Sequence, residues 1–488
     1  MTFTPSSYQQ AIFEQVQRGD RNIAIEAVAG SGKTISLVKS IEYVPSDKSV
    51  CFLAFNKHIA TELQSRVPAN ARASTQHSLG FSNLRKQFGR VKVDEFKVDN
   101  ILDALMPMPT KYAPYEEKAQ AQERRHTMKK LISMCKALLL KPKDDVAIQE
   151  AGALYDLDLG ANPYEFLCLL PRAFEMIVNC TEEIDFDDML YLPVYHGIYP
   201  DKFDVLLNDE GQDYTPLQIE FALNTIKLGG MVITVGDTRQ AIYGFRYADI
   251  HAMSRFVEAT NAIALPLSIT YRCPLSHVAL AQQIVPQIEA RPDAPDGIVA
   301  DIPQAQFISM LREGDMTICR TNAPLIPAAF QLIRSGVKAT VRGRDIGKNL
   351  ADLARKIGKD AIDMEAMYDT LDIYEKNETL RITHKPHYNS SQLQALEDKV
   401  MTLEAIMAES TLPGEVPTKI ETLFSDNSAG IVLSSVHKAK GLEANRVFIL
   451  EPGQMPHPLA KKEWEITQEY NIKYIALTRS RAELYFVR

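Results

Sequence analysis

Apolar residues recur along this chain in two rhythms. Short apolar or alternating runs that stop at glycine or acidic residues predict strands at 22–27 (NIAIEA), 49–55 (SVCFLAF), 203–208 (FDVLLN) and 231–235 (MVITV). The first two lead into stretches of helical period, TISLVKSIEYV and the segment carrying Ile59, Leu63 and Val67. Strands alternating with helices, with polar residues at their carboxyl ends, predict a parallel, doubly wound sheet whose ligand crevice lies at that edge. From about 94 to 184 the pattern becomes helical without clear strands, which predicts a helical insertion with a basic run, Arg124, Arg125, Lys129, Lys130, Lys136, Lys141 and Lys143. That run reads either as a solvated helix face or as a contact to backbone phosphate. Strand patterns return at 316–319, 339–341, 431–434, 446–450 and 484–487, predicting a second α/β core interrupted by helix at about 347–427. There Leu393, Leu396, Val400, Leu403 and Met407 form a stripe of barely two heptads, read as packing and not as an independent coiled coil.

Composition narrows this picture without redirecting it. With 45% apolar and 24% charged residues over 488 positions, the chain is neither disordered nor fibrous, and its length suits several domains. A net charge of −8 means that any polyanion must be held by a local basic channel, not by a bulk basic field. The amino terminus lacks a charged-then-apolar leader, and no run of about 18 apolar residues occurs, so neither secretion nor membrane spanning is expected. Cys51, Cys135, Cys168, Cys180, Cys273 and Cys319 are scattered without metal spacing and read as buried thiols in a reducing compartment.

Candidate chemistry begins at Ala27-Val28-Ala29-Gly30-Ser31-Gly32-Lys33-Thr34, which matches the phosphate loop G-x-x-x-x-G-K-[ST] except that Ala27 replaces the first glycine. The glycines let backbone N–H groups of Ala29, Gly30, Ser31 and Gly32 turn toward phosphates, Lys33 reaches the β- and γ-phosphates, and the Thr34 hydroxyl suits Mg²⁺. Such a loop needs a metal-side carboxylate on a neighbouring strand. Asp209 directly follows the strand FDVLLN, and Glu210, one residue on, is placed as general base toward the attacking water. ATP and Mg²⁺ are the expected ligands.

Taken in order, AVAGSGKT, DEGQD, VGDTRQAIYGFR, ITYRCP, SSVHKAKGLE and YIALTRSR resemble motifs I to VI of superfamily 1 DNA helicases of the UvrD/Rep/PcrA type. The resemblance implies two RecA-like P-loop domains with parallel sheets, each carrying a mainly helical insertion: 1–93 with 185–268, inserted at 94–184, and 269–346 with 428–488, inserted at 347–427. It implies ATP in the cleft between the cores. Gln240 matches the γ-phosphate-sensing glutamine, while Arg272 and Arg479 match the arginines that reach the γ-phosphate from the second core. Tyr271 resembles the adenine-stacking residue, Glu443 the ribose contact, and Gln9, preferred over Gln10, the adenine-reading glutamine.

On the DNA side the resemblance implies Phe55, Asn56, Lys57, Thr75, His77, Tyr243, Phe245, Arg246 and His437, with Asp185 to Asp188 (DFDD) as a short motif before the second acidic one. The implied activity is 3′ to 5′ translocation on single-stranded DNA and at single-strand/duplex junctions, with unwinding or protein displacement, in a cytoplasmic, nucleoid-associated protein. A repair, recombination or nuclease partner protein fits the same reading. The alternative is a nucleotide-switched DNA-binding partner without processive unwinding. The motifs run across nearly the whole chain, which predicts a bare motor core. The short second insertion and the segments VRGRDIGKNL and AFNKHIA resemble the F-box helicase branch and small phage or bacterial relatives.

Overall fold

The computed structural model describes residues 3–155, 157–242, 247, 251–383, 390–424 and 430–488, with positions 115, 390 and 391 as backbone only. The chain divides into two units, Met1–Ala27 with Gly32–Ser268, and Val28–Ser31 with Ile269–Arg488.

The first unit is built on β1 (Ile23–Ala27), β2 (Val50–Leu53), β3 (Ala71–Ser74), β4 (Phe203–Asn208), β5 (Ile226–Gly236) and β6 (Ile263–Leu267), in the order β3-β2-β4-β5-β1-β6. Every pairing is parallel. The central strands are apolar on both faces, as a sheet covered on both sides requires. Strict alternation then divides their side chains between two cores. Val50, Phe52, Val205 and Leu207 join Phe13, Ile25 and Ile233 on one face, while Cys51, Leu53, Leu206 and Val232 join Leu131, Ile132, Phe174 and Ile177 on the other. The last four belong to the helices Tyr115–Leu138 and Leu170–Asn179. The inserted helices therefore share a core with the sheet. A two-residue parallel ladder, Lys92–Val93 with Glu183–Ile184, closes this insertion at its base, the one strand element the sequence pattern did not show there.

The second unit carries β7 (Ile298–Ile302), β8 (Met316–Cys319), β9 (Ala339–Val341), β10 (Ile431–Ser435), β11 (Ala444–Leu450) and β12 (Ser480–Val487), again all parallel, in the order β7-β12-β11-β8-β10-β9. Leu396, Val400, Leu403 and Met407 of the helical stripe lie in one core with Leu433 and Phe448, so the stripe packs inward as read.

Within the two six-stranded sheets, three strands escaped the sequence pattern, β3, β6 and β7, and all three are sheet edges. An edge strand pairs on one side only and stays partly wet, so it needs no apolar run. β3 is ARAS, and β6 carries Pro266, which an edge tolerates because it needs fewer ladder donors.

The basic run on Tyr115–Leu138 corrects an expectation. Lys136 is 1% exposed and pairs with Asp185 at 2.9 Å and Asp188 at 2.8 Å. Arg125 pairs with Asp103 and Lys129 with Asp99, each at 2.6 Å, and Arg124 pairs with Glu165. Lys136 is therefore spent inside the unit and leaves the run, whereas Arg124, Lys130, Lys141 and Lys143 stay exposed, as a solvated face requires. Of the cysteines, Cys51, Cys135, Cys273 and Cys319 are buried as expected, whereas Cys180 is half-buried and Cys168 exposed.

Candidate active site

Three loops leave the carboxyl ends of three adjacent strands, β4, β5 and β1, and so meet at one edge of the first sheet. Residues 28–32 follow β1, Asp209 and Glu210 follow β4, and Asp237 to Gln240 follow β5. Gly30 and Gly32 take φ values of +74° and +78°, a backbone that side chains resist and glycine adopts freely. That turn delivers the helix Lys33–Ser40 with its amino end at the site.

Here the charged groups pair with one another. The Lys33 ammonium lies 2.9 Å from Glu210, and the Thr34 hydroxyl donates to the Asp209 carboxylate at 2.6 Å. Gln240 donates to Asp237 at 2.6 Å. Burial alone would draw the Lys33 ammonium down, but Glu210, Asp237 and Asp209 raise it above the usual lysine range. Burial, reinforced by the charge of Glu210, pushes Asp209 up to about 6 against the opposing effects of Lys33 and Thr34. Burial likewise takes Asp237 to about 6. Gln9 is buried, with its amide donating to Ser36 at 2.9 Å and its carbonyl closing a capping box on Ser6. Gln10 is exposed and pairs with Glu14.

Within the second unit, which includes Val28–Ser31, the Ala29 N–H donates to the Tyr474 hydroxyl and the Tyr271 N–H to the Gly30 carbonyl, both at 2.8 Å. Tyr271 is 40% exposed. Ser31 is fully buried. Arg272 pairs with Glu443 and donates to the Thr478 carbonyl at 3.3 Å, while Glu443 also holds Arg481. The carboxylate that the resemblance assigned to a ribose is thus engaged by two guanidinium groups. Arg479 is 1% exposed and donates to the carbonyls of Ile475 at 3.0 Å and Leu442 at 3.1 Å. Among the described residues it pairs with no carboxylate. Burial, and next the charge of Arg272, lower its pKa to about 10.

The DNA-side residues are distributed differently. Phe55 and Thr75, from the loops after β2 and β3, and His77, in the first turn of the helix Gln76–Phe88, line one cavity of about 380 Å³ together with Ser133, Asp187 and Tyr247. The Ser133 hydroxyl donates to Asp187 at 2.8 Å, and burial lowers the His77 pKa against the pull of Asp187. Asn56 and Thr75 are also helix N-caps, accepting from Ile59 and Ser78, so their oxygens already serve the backbone. Lys57, the first residue of the Asn56-capped helix, is exposed. His437 lies in the other unit, where burial, Arg320 and Lys440 push its pKa down to about 3 and keep the ring neutral. Tyr243, Phe245 and Arg246 lie outside the described residues.

Sequence reasoning passed over Gln212, Asp237 and Glu26. Gln212 donates to Glu210 at 2.6 Å, and the Glu26 carboxylate accepts from the Thr238 hydroxyl at 2.6 Å. The first two stand inside DEGQD and VGDTRQ, where buried polar residues immediately after apolar strands were the available signal.

The UvrD/REP helicase N-terminal domain model matches residues 8–261, and the UvrD-like helicase C-terminal domain model matches 209–488. The F-box DNA helicase protein 1 of Schizosaccharomyces pombe is 21% identical over 98% of this chain, which spans 57% of that protein's length. ATP-dependent DNA helicase UvrD2 of Mycobacterium tuberculosis is 23% identical over 95% of the chain and 76% of its own length. ATP-dependent DNA helicase PcrA of Staphylococcus epidermidis is 22% identical over 97% of the chain and 82% of its own length. With two parallel sheets, a phosphate loop beside two carboxylates, and family models that between them reach from residue 8 to residue 488, the chain belongs to the UvrD/REP helicase family.

Proposed function

We propose that the protein is an ATP-driven motor that moves 3′ to 5′ on single-stranded DNA and couples hydrolysis to duplex unwinding or protein displacement. One observation carries the reading: Lys33 with Glu210 and Thr34 with Asp209 stand at the edge shared by three adjacent strands, with Gln240 beside Asp237 on the third. A buried lysine between carboxylates is a cation prepared for a stronger anion. A triphosphate supplies that anion, so Lys33 exchanges Glu210 for phosphate oxygens as the nucleotide enters. Glu210 is then free to accept the proton of the attacking water while the water oxygen bonds to the γ-phosphorus and the bridging oxygen leaves on ADP. The Thr34 hydroxyl and Asp209 carboxylate are hard oxygen donors in contact, a set that fits Mg²⁺, which when bound would offset phosphate charge. The resemblance assigns Arg272 and Arg479 to the γ-phosphate, and variants at those positions test that assignment.

The cavity holding Phe55, Thr75 and His77 supports the DNA side of the reading. Its Asp187 wall repels phosphate, so it suits a base, which stacks and hydrogen-bonds without regard to sequence. No helix among the described residues is long and apolar enough to cross a membrane.

Steady-state ATPase with and without single-stranded DNA, followed by displacement on 3′-tailed and 5′-tailed duplexes, tests the proposal. Glu210→Gln should bind ATP yet turn it over about 10²- to 10⁴-fold more slowly. Undiminished turnover in that variant overturns the site reading, and 5′-tail preference overturns the polarity. DNA-stimulated hydrolysis with neither unwinding nor protein displacement returns the switch alternative.

A further inference from the structure

The turn that presents Glu210 leaves its backbone at φ +54°, a left-handed conformation costly for a residue with a Cβ, so the side chain is aimed by contacts more than by local preference. Among the described residues, two donors reach its carboxylate. Lys33 approaches both carboxylate oxygens, at 2.9 and 3.0 Å, and the Gln212 amide donates to Oε2 at 2.6 Å. Lys33 must leave for phosphate if the site works as proposed above, whereas Gln212 has no reason to move. It is 2% exposed, its Nε2 also donates to Asp213 at 3.2 Å, and its Oε1 accepts the Asp237 backbone N–H at 2.9 Å. Asp237 in turn accepts from Gln240. One amide therefore joins the base-bearing turn after β4 to the sensor-bearing turn after β5.

The backbone is cut to admit it. A Cβ on Gly236 would lie 2.8 Å from the Gln212 carbonyl oxygen and 3.0 Å from its backbone nitrogen, and a Cβ on Gly211 would lie 2.4 Å from Thr234 Cγ2. The 2.4 and 2.8 Å distances are closer than real Cβ contacts, so a side chain at either place would push against Thr234 or the Gln212 amide and loosen the packing of the two turns.

We propose that Gln212 is a positioning residue for ATP hydrolysis: its amide holds Glu210 Oε2 so that Oε1, released by Lys33, faces the water, and its carbonyl ties that carboxylate to the loop carrying Gln240. The inference rests on Glu210 as the general base. It leaves nucleotide binding to Lys33, Thr34 and Asp209, so it predicts a loss in kcat and not in KM.

The test uses the full chain with Gln212→Leu, which keeps volume and loses both hydrogen bonds, and Gln212→Glu, which keeps shape and the acceptor toward Asp237 but loses the donor. Both should lower DNA-stimulated kcat by roughly 10- to 100-fold, the range for a hydrogen bond to a charged group. KM for ATP should change by less than about twofold. In a Glu210→Gln background, Gln212→Leu should cost nothing further, because the group it positions no longer works as a base. Wild-type kcat in Gln212→Leu overturns the proposal, as does full turnover in Gln212→Glu, or a parallel loss of kcat, ATP affinity and thermal midpoint. Should Gln212→Leu fail to fold, Gln212→Glu decides alone. Full turnover in Glu210→Gln itself overturns instead the site reading on which the inference stands.

Discussion

Buried cations are held in two contrasting ways, and the contrast is sharpest between the phosphate-loop lysine of the first unit and one arginine of the second. In the first, each deeply placed cation has a carboxylate: Lys33 has Glu210, Lys97 has Asp188 at 2.6 Å, and Lys136 has Asp185 and Asp188. The second pairs Arg446 with Asp315 at 3.0 Å in the same way, but it holds Arg479 against the neutral dipoles of the Ile475 and Leu442 carbonyls and the Thr478 hydroxyl, where after burial the largest effect on its charge is the repulsion of Arg272. A paired cation must give up a partner before it can serve a ligand, whereas one held by neutral dipoles keeps its whole charge available to an incoming anion. The first arrangement suits a group that exchanges partners on binding. The second suits one that responds to charge developing during reaction.

The sharpest way to break this contrast is Arg479. Arg479→Ala should lower DNA-stimulated turnover by up to roughly 10³- to 10⁵-fold, the range for an arginine finger, while nucleotide binding persists. Because the truncation also takes a side-chain donor from the Ile475 and Leu442 carbonyls, Arg479→Lys is the companion variant, keeping charge and losing the planar fork. Full turnover in both would make the buried guanidinium purely structural.

Next in size is the paired side of the comparison. Lys136→Met leaves Asp185 and Asp188 short of one cation in an apolar setting and should destabilise the first unit by about 3–5 kcal/mol. Lys97 remains on Asp188, so the loss should fall chiefly on the segment around Asp185, read by denaturant unfolding or hydrogen exchange. A loss under about 1 kcal/mol, the size of an exposed pair, would show that the network contributes little.

The smallest effect is one of sign. Burial holds Asp209 and Asp237 at about 6, above their unfolded range, so they bind protons preferentially in the folded state and their contribution to stability grows as pH falls from about 6 to 4. Burial holds His277 at about 4 and His437 at about 3, below the unfolded value, so their contribution is complete above about 6.5 and is lost as pH falls toward those values. Acidification through this window should therefore weaken protection in the second unit around His277 and His437 before it weakens the first around Asp209. Hydrogen exchange at pH 7 and pH 4.5 reads both, and uniform weakening would erase the distinction. For turnover the same window has the opposite consequence: kcat/KM should fall below about pH 6 as Asp209 takes a proton and ceases to be an anionic ligand.

Much of the molecule was legible before any coordinates, and the reason is local. A central parallel strand must be apolar on both faces and a phosphate turn must have glycine at positive φ, so Phe203–Asn208, Met316–Cys319 and the Gly30 and Gly32 turn announce themselves in short windows of sequence. The motif order then carried the two-core family and the residues at the strand ends. Edge strands such as Ala71–Ser74 did not show, because half-solvated pairing imposes no pattern. Partner choice did not show either. Lys130 and Lys136 look alike in a basic run, yet the helix turns only Lys136 onto Asp185 and Asp188 with 1% exposure. Gln212 stood in plain view within DEGQD without a role until β4 and β5 set its amide between Glu210 and the Asp237 backbone. Residue type and spacing depend on backbone geometry, which short stretches of chain already impose. Which buried donor meets which acceptor depends on strand order and on space left between distant segments, and only the folded chain decides that.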